Sequence, residues 1–151
     1  MSTAQRVGRG FQTMLVAFVA WTAATVIAAS QESQQVFNDM AMELAECAAY
    51  FGIVSIAMEN SKKPDQAAEW NKQRDKALEF AAMVTKEAGL KQETVGARFS
   101  MAVEDMIKRI DRNTSNISIL MADYNERCIE AMTEPKKRAR YWLKHEAAPH
   151  Q

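Results

Sequence analysis

The chain is poor in the residues that end helices and form tight turns. Only five glycines and three prolines occur in 151 residues. Folds built from many short strands need more turn formers, whereas abundant alanine, glutamate, lysine, glutamine and methionine favour long helices. We therefore predict an all-α fold, a small antiparallel helical bundle.

Histidine and cysteine are also scarce, which excludes several kinds of active site. Both histidines, His145 and His150, lie near the end of the chain, so no Ser-His-Asp or Cys-His arrangement and no Glu-x-x-His pair of a di-iron bundle can be drawn. The sequence also lacks Cys-x-x-Cys and Cys-x-x-Cys-His. We predict that the protein is not an enzyme and has no cofactor.

An excess of charge of either sign is absent as well. The 19 basic and 19 acidic residues give a formal net charge of zero. A charge balance this even does not supply the basic surface that nucleic acids require. We expect no nucleic-acid partner.

The N-terminal segment has the layout of a secretory signal peptide. Two cationic residues, Arg6 and Arg9, precede an apolar run that ends in small residues, the last of them Ser30. We predict that residues 1–30 are a signal peptide and that residues 31–151 form one helical-bundle domain, located in the periplasm or secreted.

An uncleaved membrane anchor is the alternative for this segment. Residues 11–29 carry no charge, and a membrane-spanning helix needs about 20 predominantly apolar residues. The polar threonines and the alanine-rich composition favour cleavage. Both alternatives place the domain outside the cytoplasm.

Helical periodicity divides the domain into segments. In the first predicted helix, apolar residues recur every three or four positions: Phe37, Met40, Leu44, Cys47, Phe51, Val54 and Met58. This helix ends before Pro64. The second runs from Asp65, a predicted N-cap, to Gly89, and the third from near Gln92 to Ile110.

The polar residues 111–116 are either a turn between two helices or a kink within one, and we favour a break near residues 113–116. The next predicted helix carries an apolar stripe of Ile117, Met121, Tyr124, Cys128 and Met132. A last short helix is predicted to start at Pro135, with Thr133 as its cap.

Cys47 and Cys128 are the only cysteines. Two cysteines in an exported chain usually pair, so we predict a disulfide between the first and fourth helices of the domain. The alternative is that both are buried free thiols that pack as small apolar side chains.

Methionine is abundant, with ten residues in the chain. Thioethers can bind Cu(I), and the methionines that suggest such a site are Met40, Met42, Met101, Met106, Met121 and Met132. Most of them fall on apolar stripes, so we favour a packing role. Haem ligation by a methionine and a terminal histidine is a further alternative.

The segment from Lys136 to Lys144 combines five basic residues with Tyr141 and Trp142. Arginine and tryptophan are enriched at the centres of interfaces. We predict that Arg138, Arg140 and Trp142 bind an acidic protein or an anionic membrane surface, and that replacing both arginines leaves stability nearly unchanged. The alternative is that the aromatic residues close the bundle.

These patterns favour an exported, non-enzymatic binding or assembly module of the cell envelope that docks a protein partner through its helix surfaces. An exported copper or haem carrier with methionine and histidine ligands is the competing function. The identity of the partner and the oligomeric state are open at this stage.

Overall fold

The computed structural model describes the backbone of residues 12–146 and the side chains of residues 31–145. Its helices are α1 (Gln12–Asn60), α2 (Pro64–Glu87), α3 (Glu93–Arg109), α4 (Ile117–Thr133) and α5 (Pro135–Glu146), and a 3-10 turn, Thr114–Asn116, precedes α4. No strand occurs in this part of the chain. The prediction of an all-α helical bundle is confirmed.

The chain divides into two units, residues 1–32 and residues 33–151. The first contains the apolar start of α1, which fits either a signal sequence or an anchor. The predicted cationic residues Arg6 and Arg9 lie outside the described residues, as does His150. One part of the signal-peptide prediction is therefore supported, namely an apolar helix at the N-terminus.

Part of α1 is apolar enough to cross a membrane. Among the residues with described side chains, Gln31–Asn60 meets that criterion by length and composition, with a mean hydropathy of 1.4. However, 78% of its most apolar window is buried inside the domain. The core helix of a soluble domain meets the same criterion, so this stretch is accounted for by its packing.

Within the second unit, α1 is buried on almost every side. Between Asp39 and Ala57, only Met42 and Ile56 are exposed. The sequence predicted that α1 buries one apolar stripe. The buried surface is wider than this stripe, because α1 is apolar on nearly all sides and such a helix lies inside a protein. Five alanines let the neighbouring helices approach closely: Ala41, Ala45, Ala48, Ala49 and Ala57.

Each of the other helices contacts α1 through a specific polar or covalent link. These links are Ser55 to the carbonyl of Ala67 in α2, Arg98 of α3 to Asn38, Cys128 of α4 to Cys47, and Arg138 of α5 to Glu43. The central helix therefore positions all the surfaces considered below.

The disulfide is present. Cys47 and Cys128 are joined, with their Cα atoms 5.3 Å apart and a separation of 81 positions in sequence. Both residues are fully buried. The predicted pairing of α1 with α4 is confirmed.

The predicted break between the third and fourth helices is also confirmed. Asp111 and Arg112 adopt left-handed backbone conformations, with φ of 52° and 54°. Asn113 then starts the 3-10 turn, because its side chain accepts a hydrogen bond from the amide of Ser115 at 3.0 Å. Two consecutive left-handed residues reverse the chain without glycine or proline.

Two predicted helix starts need correction. The second helix begins at Pro64 with Lys63 as its N-cap, and Asp65 lies in the first turn, because the fixed φ of proline suits the first helical position. Thr133 does not cap α5, since its hydroxyl donates to the carbonyl of Ile129 at 2.8 Å.

The apolar stripe predicted for the fourth helix is confirmed except at Met121, whose place in the core is taken by the neighbouring Leu120. Leu120 is fully buried and Met121 is 36% exposed. Tyr124 and Cys128 are buried as predicted. Ile117 and Met132, at the two ends of the stripe, are partly buried and pack against the same core.

Thr85 offers a test of the core packing. It is fully buried in α2, and its hydroxyl has no hydrogen-bond partner. We expect Thr85→Val to raise the free energy of unfolding by about 1 kcal/mol, because an unpaired buried hydroxyl costs free energy. Urea denaturation followed by circular dichroism measures the change.

Ser55→Ala is the matched control for this substitution. Ser55 is equally buried, but its hydroxyl donates to the carbonyl of Ala67 at 2.9 Å. Removing it should destabilise the domain by about 1 kcal/mol. A loss of stability in Thr85→Val would show that the Thr85 hydroxyl is paired in solution.

Candidate interaction site on the C-terminal helix

A buried carboxylate on α1 determines how α5 is held. Glu43 is only 2% exposed, and glutamate is almost never buried to this degree without a partner. Its neighbours on α1, Met40 and Leu44, are apolar and buried. The partners must therefore come from another helix.

The partners come from α5. The Nε of Arg138 donates to both carboxylate oxygens of Glu43 at 2.8 Å, and one terminal nitrogen lies 2.5 Å from Oε1. The indole Nε1 of Trp142 donates to Oε2 at 2.9 Å. Positions 138 and 142 lie on one face of a helix. We call Glu43, Arg138 and Trp142 the α5 latch.

The guanidinium of Arg138 is enclosed on its other sides. It lies 3.9 Å from the ring centroid of Tyr141 and 5.7 Å from that of Trp142, and its side chain is 12% exposed. Burial lowers the pKa of Arg138, but the hydrogen bonds and charge of Glu43 outweigh burial and raise it overall. The pair is charged and largely shielded from water.

Two ion pairs with Glu130 on α4 supplement the α5 latch, one from Arg138 at 3.9 Å and one from Lys137. The Nζ of Lys137 lies 2.8 Å from a carboxylate oxygen of Glu130 on α4, and that hydrogen bond raises the pKa of Lys137. Exposed pairs of this kind contribute little to stability. The orientation of α5 therefore depends mainly on Glu43.

The opposite side of α5 carries cations without partners. Lys136, Arg140, Leu143 and Lys144 are all exposed and follow the spacing of one helix face. Among the residues with described side chains, none of these three cations makes a hydrogen bond or an ion pair. We call these four residues the outer face of α5.

The residues predicted to bind a partner are therefore separated. Arg138 and Trp142 face inward to Glu43, whereas Arg140 lies on the outer face. A direct role of these three residues in partner binding stays a prediction. The expectation that replacing Arg138 would hardly affect stability needs correction, because its removal leaves Glu43 buried and unpaired.

Chains with recognisable relatives can inherit a functional assignment. For this chain, comparisons with family models, with curated proteins and with solved structures found no match. Function has to be inferred from its own residues and their geometry.

A second surface feature lies on the side of α1 that faces α3. A half-open cavity of about 340 Å³ is lined by Met42, Glu46, Arg98, Met101, Ala102, Asp105, Met106 and Tyr124. Three of the six methionines considered in the sequence analysis thus meet at one cavity. The other three, Met40, Met121 and Met132, do not line it.

Arginine side chains fix the α4 wall of this cavity. The guanidinium of Arg127 lies 4.2 Å from the ring centroid of Tyr124 and donates to Glu46 at 2.8 Å. Arg109 donates to the Tyr124 hydroxyl at 2.9 Å. Burial raises the pKa of the nearby Tyr50 to about 12, so its hydroxyl stays protonated and can donate a hydrogen bond.

A histidine- or carboxylate-based metal site is not formed by the described residues. They contain no group of three or more His, Cys, Asp or Glu side chains placed to hold a metal ion. His145 stacks on Tyr141, with ring centroids 3.9 Å apart, and its Nδ1 lies 2.9 Å from the carbonyl oxygen of that residue. His145 thus packs against another residue of α5, and it lies far in sequence from the residues that line the methionine cavity.

Sequence reasoning missed Glu43 and the partition of α5 into two faces. A signal was present, since Glu43 lies between Met40 and Leu44 in a helix that is apolar on nearly all sides. A carboxylate in such a helix predicts a buried cation partner.

Proposed function

We propose that the protein is an exported, non-enzymatic binding module that docks an acidic protein of the cell envelope or the extracellular space through the outer face of α5. The observation that carries this proposal is the set of three exposed cations that have no partner among the described side chains and lie beside an exposed leucine. Leu143 is 39% exposed. An apolar contact ringed by charges is a common composition of an interface.

The local charge matters because the whole chain is neutral. With no net charge to steer association, a partner must be attracted by a local patch, and such attraction decays within about 8 Å at physiological salt. Lys136, Arg140 and Lys144 follow one another on this patch at intervals of about 6 Å along the helix. The α5 latch holds them on a fixed helix, so binding does not require the segment to be ordered first.

Export is supported by two features of the chain. An apolar helix at the N-terminus fits a signal peptide or an anchor. The disulfide between Cys47 and Cys128 suits an oxidising compartment.

Site-specific crosslinking in the native host tests the proposal. A photocrosslinking amino acid, p-benzoylphenylalanine, is placed at Leu143 or, as a control, at Met83, which is 51% exposed on α2. We expect one acidic protein to be crosslinked from position 143 and not from position 83. Equal patterns from both positions would contradict docking through α5.

The charge dependence of binding gives a quantitative prediction. Replacing Lys136, Arg140 and Lys144 together by glutamine should weaken binding of the crosslinked protein at least about tenfold at low salt, because the attraction between the patches is lost. The free energy of unfolding should change by less than about 0.5 kcal/mol. Titration calorimetry at two salt concentrations and urea denaturation measure these effects.

A control variant removes the same number of charges elsewhere. Lys76, Lys86 and Lys91 are exposed on or beside α2, and their joint replacement by glutamine should leave binding unchanged. Vesicles with and without phosphatidylglycerol provide the other arm of the test. If the protein binds only to the anionic vesicles, the outer face contacts lipid and the protein-docking proposal is wrong.

A further inference from the structure

We propose that the cavity between α1 and α3 binds a Cu(I) ion through the thioether sulfurs of Met42, Met101 and Met106. This site is independent of α5, so it goes beyond the docking function. Met42 is contributed by α1, and the other two methionines by α3. Residues from two helices are thus needed, and the fold brings them together.

The available ligand chemistry selects a soft ion. Thioethers bind Cu(I) in preference to hard cations such as magnesium or calcium. Thiolates are not available in competition, because Cys47 and Cys128 form a disulfide. His145, the histidine with a described side chain, packs against Tyr141 on α5. The methionines are therefore the soft donors that this part of the chain offers.

Packing alone does not explain the exposure of two of these methionines. Met106 is 1% exposed and Met40 is 7% exposed, as expected of core side chains. By contrast, Met101 is 71% exposed and Met42 is 40% exposed. Both side chains are thus less buried than the core methionines, and both line the same cavity. This arrangement gives an ion access from solvent.

The cavity leaves room for the three sulfurs to converge. Its volume is about 340 Å³, and methionine has three freely rotating side-chain torsions, so the donors can adjust to an ion without backbone movement. Met106 at the buried side and Met42 and Met101 at the open side would enclose the ion from two directions.

The charged side chains that line the cavity are two acidic residues and one basic residue. Asp105 lines it and makes no hydrogen bond or ion pair with any described side chain. Arg98 also lines it, but its guanidinium is fixed by Asn38, donating to the backbone carbonyl at 3.2 Å and to the side chain at 2.6 Å. Glu46 is paired with Arg127. Arg98 is therefore held toward Asn38, and the described lining of the cavity has one more acidic than basic side chain.

Anaerobic competition between the full-length protein and the Cu(I) chelator bicinchoninate tests the proposal. We expect the wild-type chain to withdraw one Cu(I) ion per molecule from the chelator. Met42→Leu and Met101→Leu should each weaken Cu(I) binding more than about tenfold, since each removes one donor. X-ray absorption of the loaded protein should show sulfur neighbours around copper, fewer in each variant.

Met83→Leu is the matched control. Met83 is 51% exposed on α2 and does not line the cavity, so this variant should bind Cu(I) like the wild type. Circular dichroism checks that all variants are folded. A wild-type chain that takes no copper from the chelator, or Met42→Leu and Met101→Leu variants that bind as Met83→Leu does, would overturn the site. Neither result bears on the crosslinking experiment at Leu143.

Discussion

Arg138→Ala is expected to lower the free energy of unfolding by about 3 to 5 kcal/mol, because it leaves the carboxylate of Glu43 buried without its charged partner. Glu43 is 2% exposed and receives hydrogen bonds only from Arg138 and Trp142 among the described residues. Small domains are stable by about 5 to 15 kcal/mol. The substitution therefore removes a large share of that stability.

Loss of the α5 latch can be seen before the domain unfolds. When α5 leaves Glu43, Trp142 moves into water, so its fluorescence should shift to longer wavelength at denaturant concentrations where the circular dichroism of the other helices is retained. Arg140→Ala is the control: this arginine lies on the outer face, and its loss should change stability by less than about 0.5 kcal/mol.

A double substitution distinguishes the net contribution of the ion pair to the free energy of unfolding from the penalty of leaving one buried charge unpaired. Replacing both Glu43 and Arg138 by leucine removes both charges, and a buried pair exchanged for apolar residues is often neutral. We expect the double variant to be more stable than Arg138→Ala. Equal stabilities of Arg138→Ala and Arg140→Ala would contradict the latch.

Removing the disulfide is the second large expected effect. The double variant Cys47→Ala/Cys128→Ala should lose about 4 kcal/mol, because the bond closes a loop of 81 residues in the unfolded chain. Both cysteines are fully buried, so alanine also removes some packing. Urea denaturation of this variant, compared with the oxidised wild type, measures the difference.

Reduction provides an independent measurement of the same bond. Because the sulfurs are fully buried, a mild reductant should act only on molecules that have opened, and the rate of alkylation should rise steeply with urea. If the protein purified from its native host alkylates at both cysteines without reductant, the bond does not form there. An unchanged denaturation midpoint in the double alanine variant would contradict its stabilising role.

Some of the fold could be predicted because local signals coincided. Pro64 marks the boundary between α1 and α2, as the sequence predicted. Gly89, whose φ is 70°, follows the last turn of α2 and ends it where the sequence predicted. The disulfide could be predicted because the chain has only one possible pair. Both cysteines also fell on apolar stripes, which placed them inside the bundle.

The rest depended on contacts between distant residues. Glu43 and Arg138 are 95 residues apart, and nothing local connects them. Helix periodicity shows that Arg138 and Trp142 share a face, but α5 has aromatic or apolar residues on several sides, so the inward face could not be chosen. The exchange of Met121 for Leu120 in the core of α4 could not be predicted either, because the two residues are apolar neighbours in sequence.

The position of the disulfide has a consequence for proteolysis. The covalent ring runs from Cys47 to Cys128 and encloses α2 and α3, whereas α5 lies beyond it. A protease that cuts anywhere inside the ring leaves two pieces that stay joined on a non-reducing gel. A single cut at Glu134, between α4 and α5, lies outside the ring. The basic helix α5 then appears on the same gel as a separate peptide.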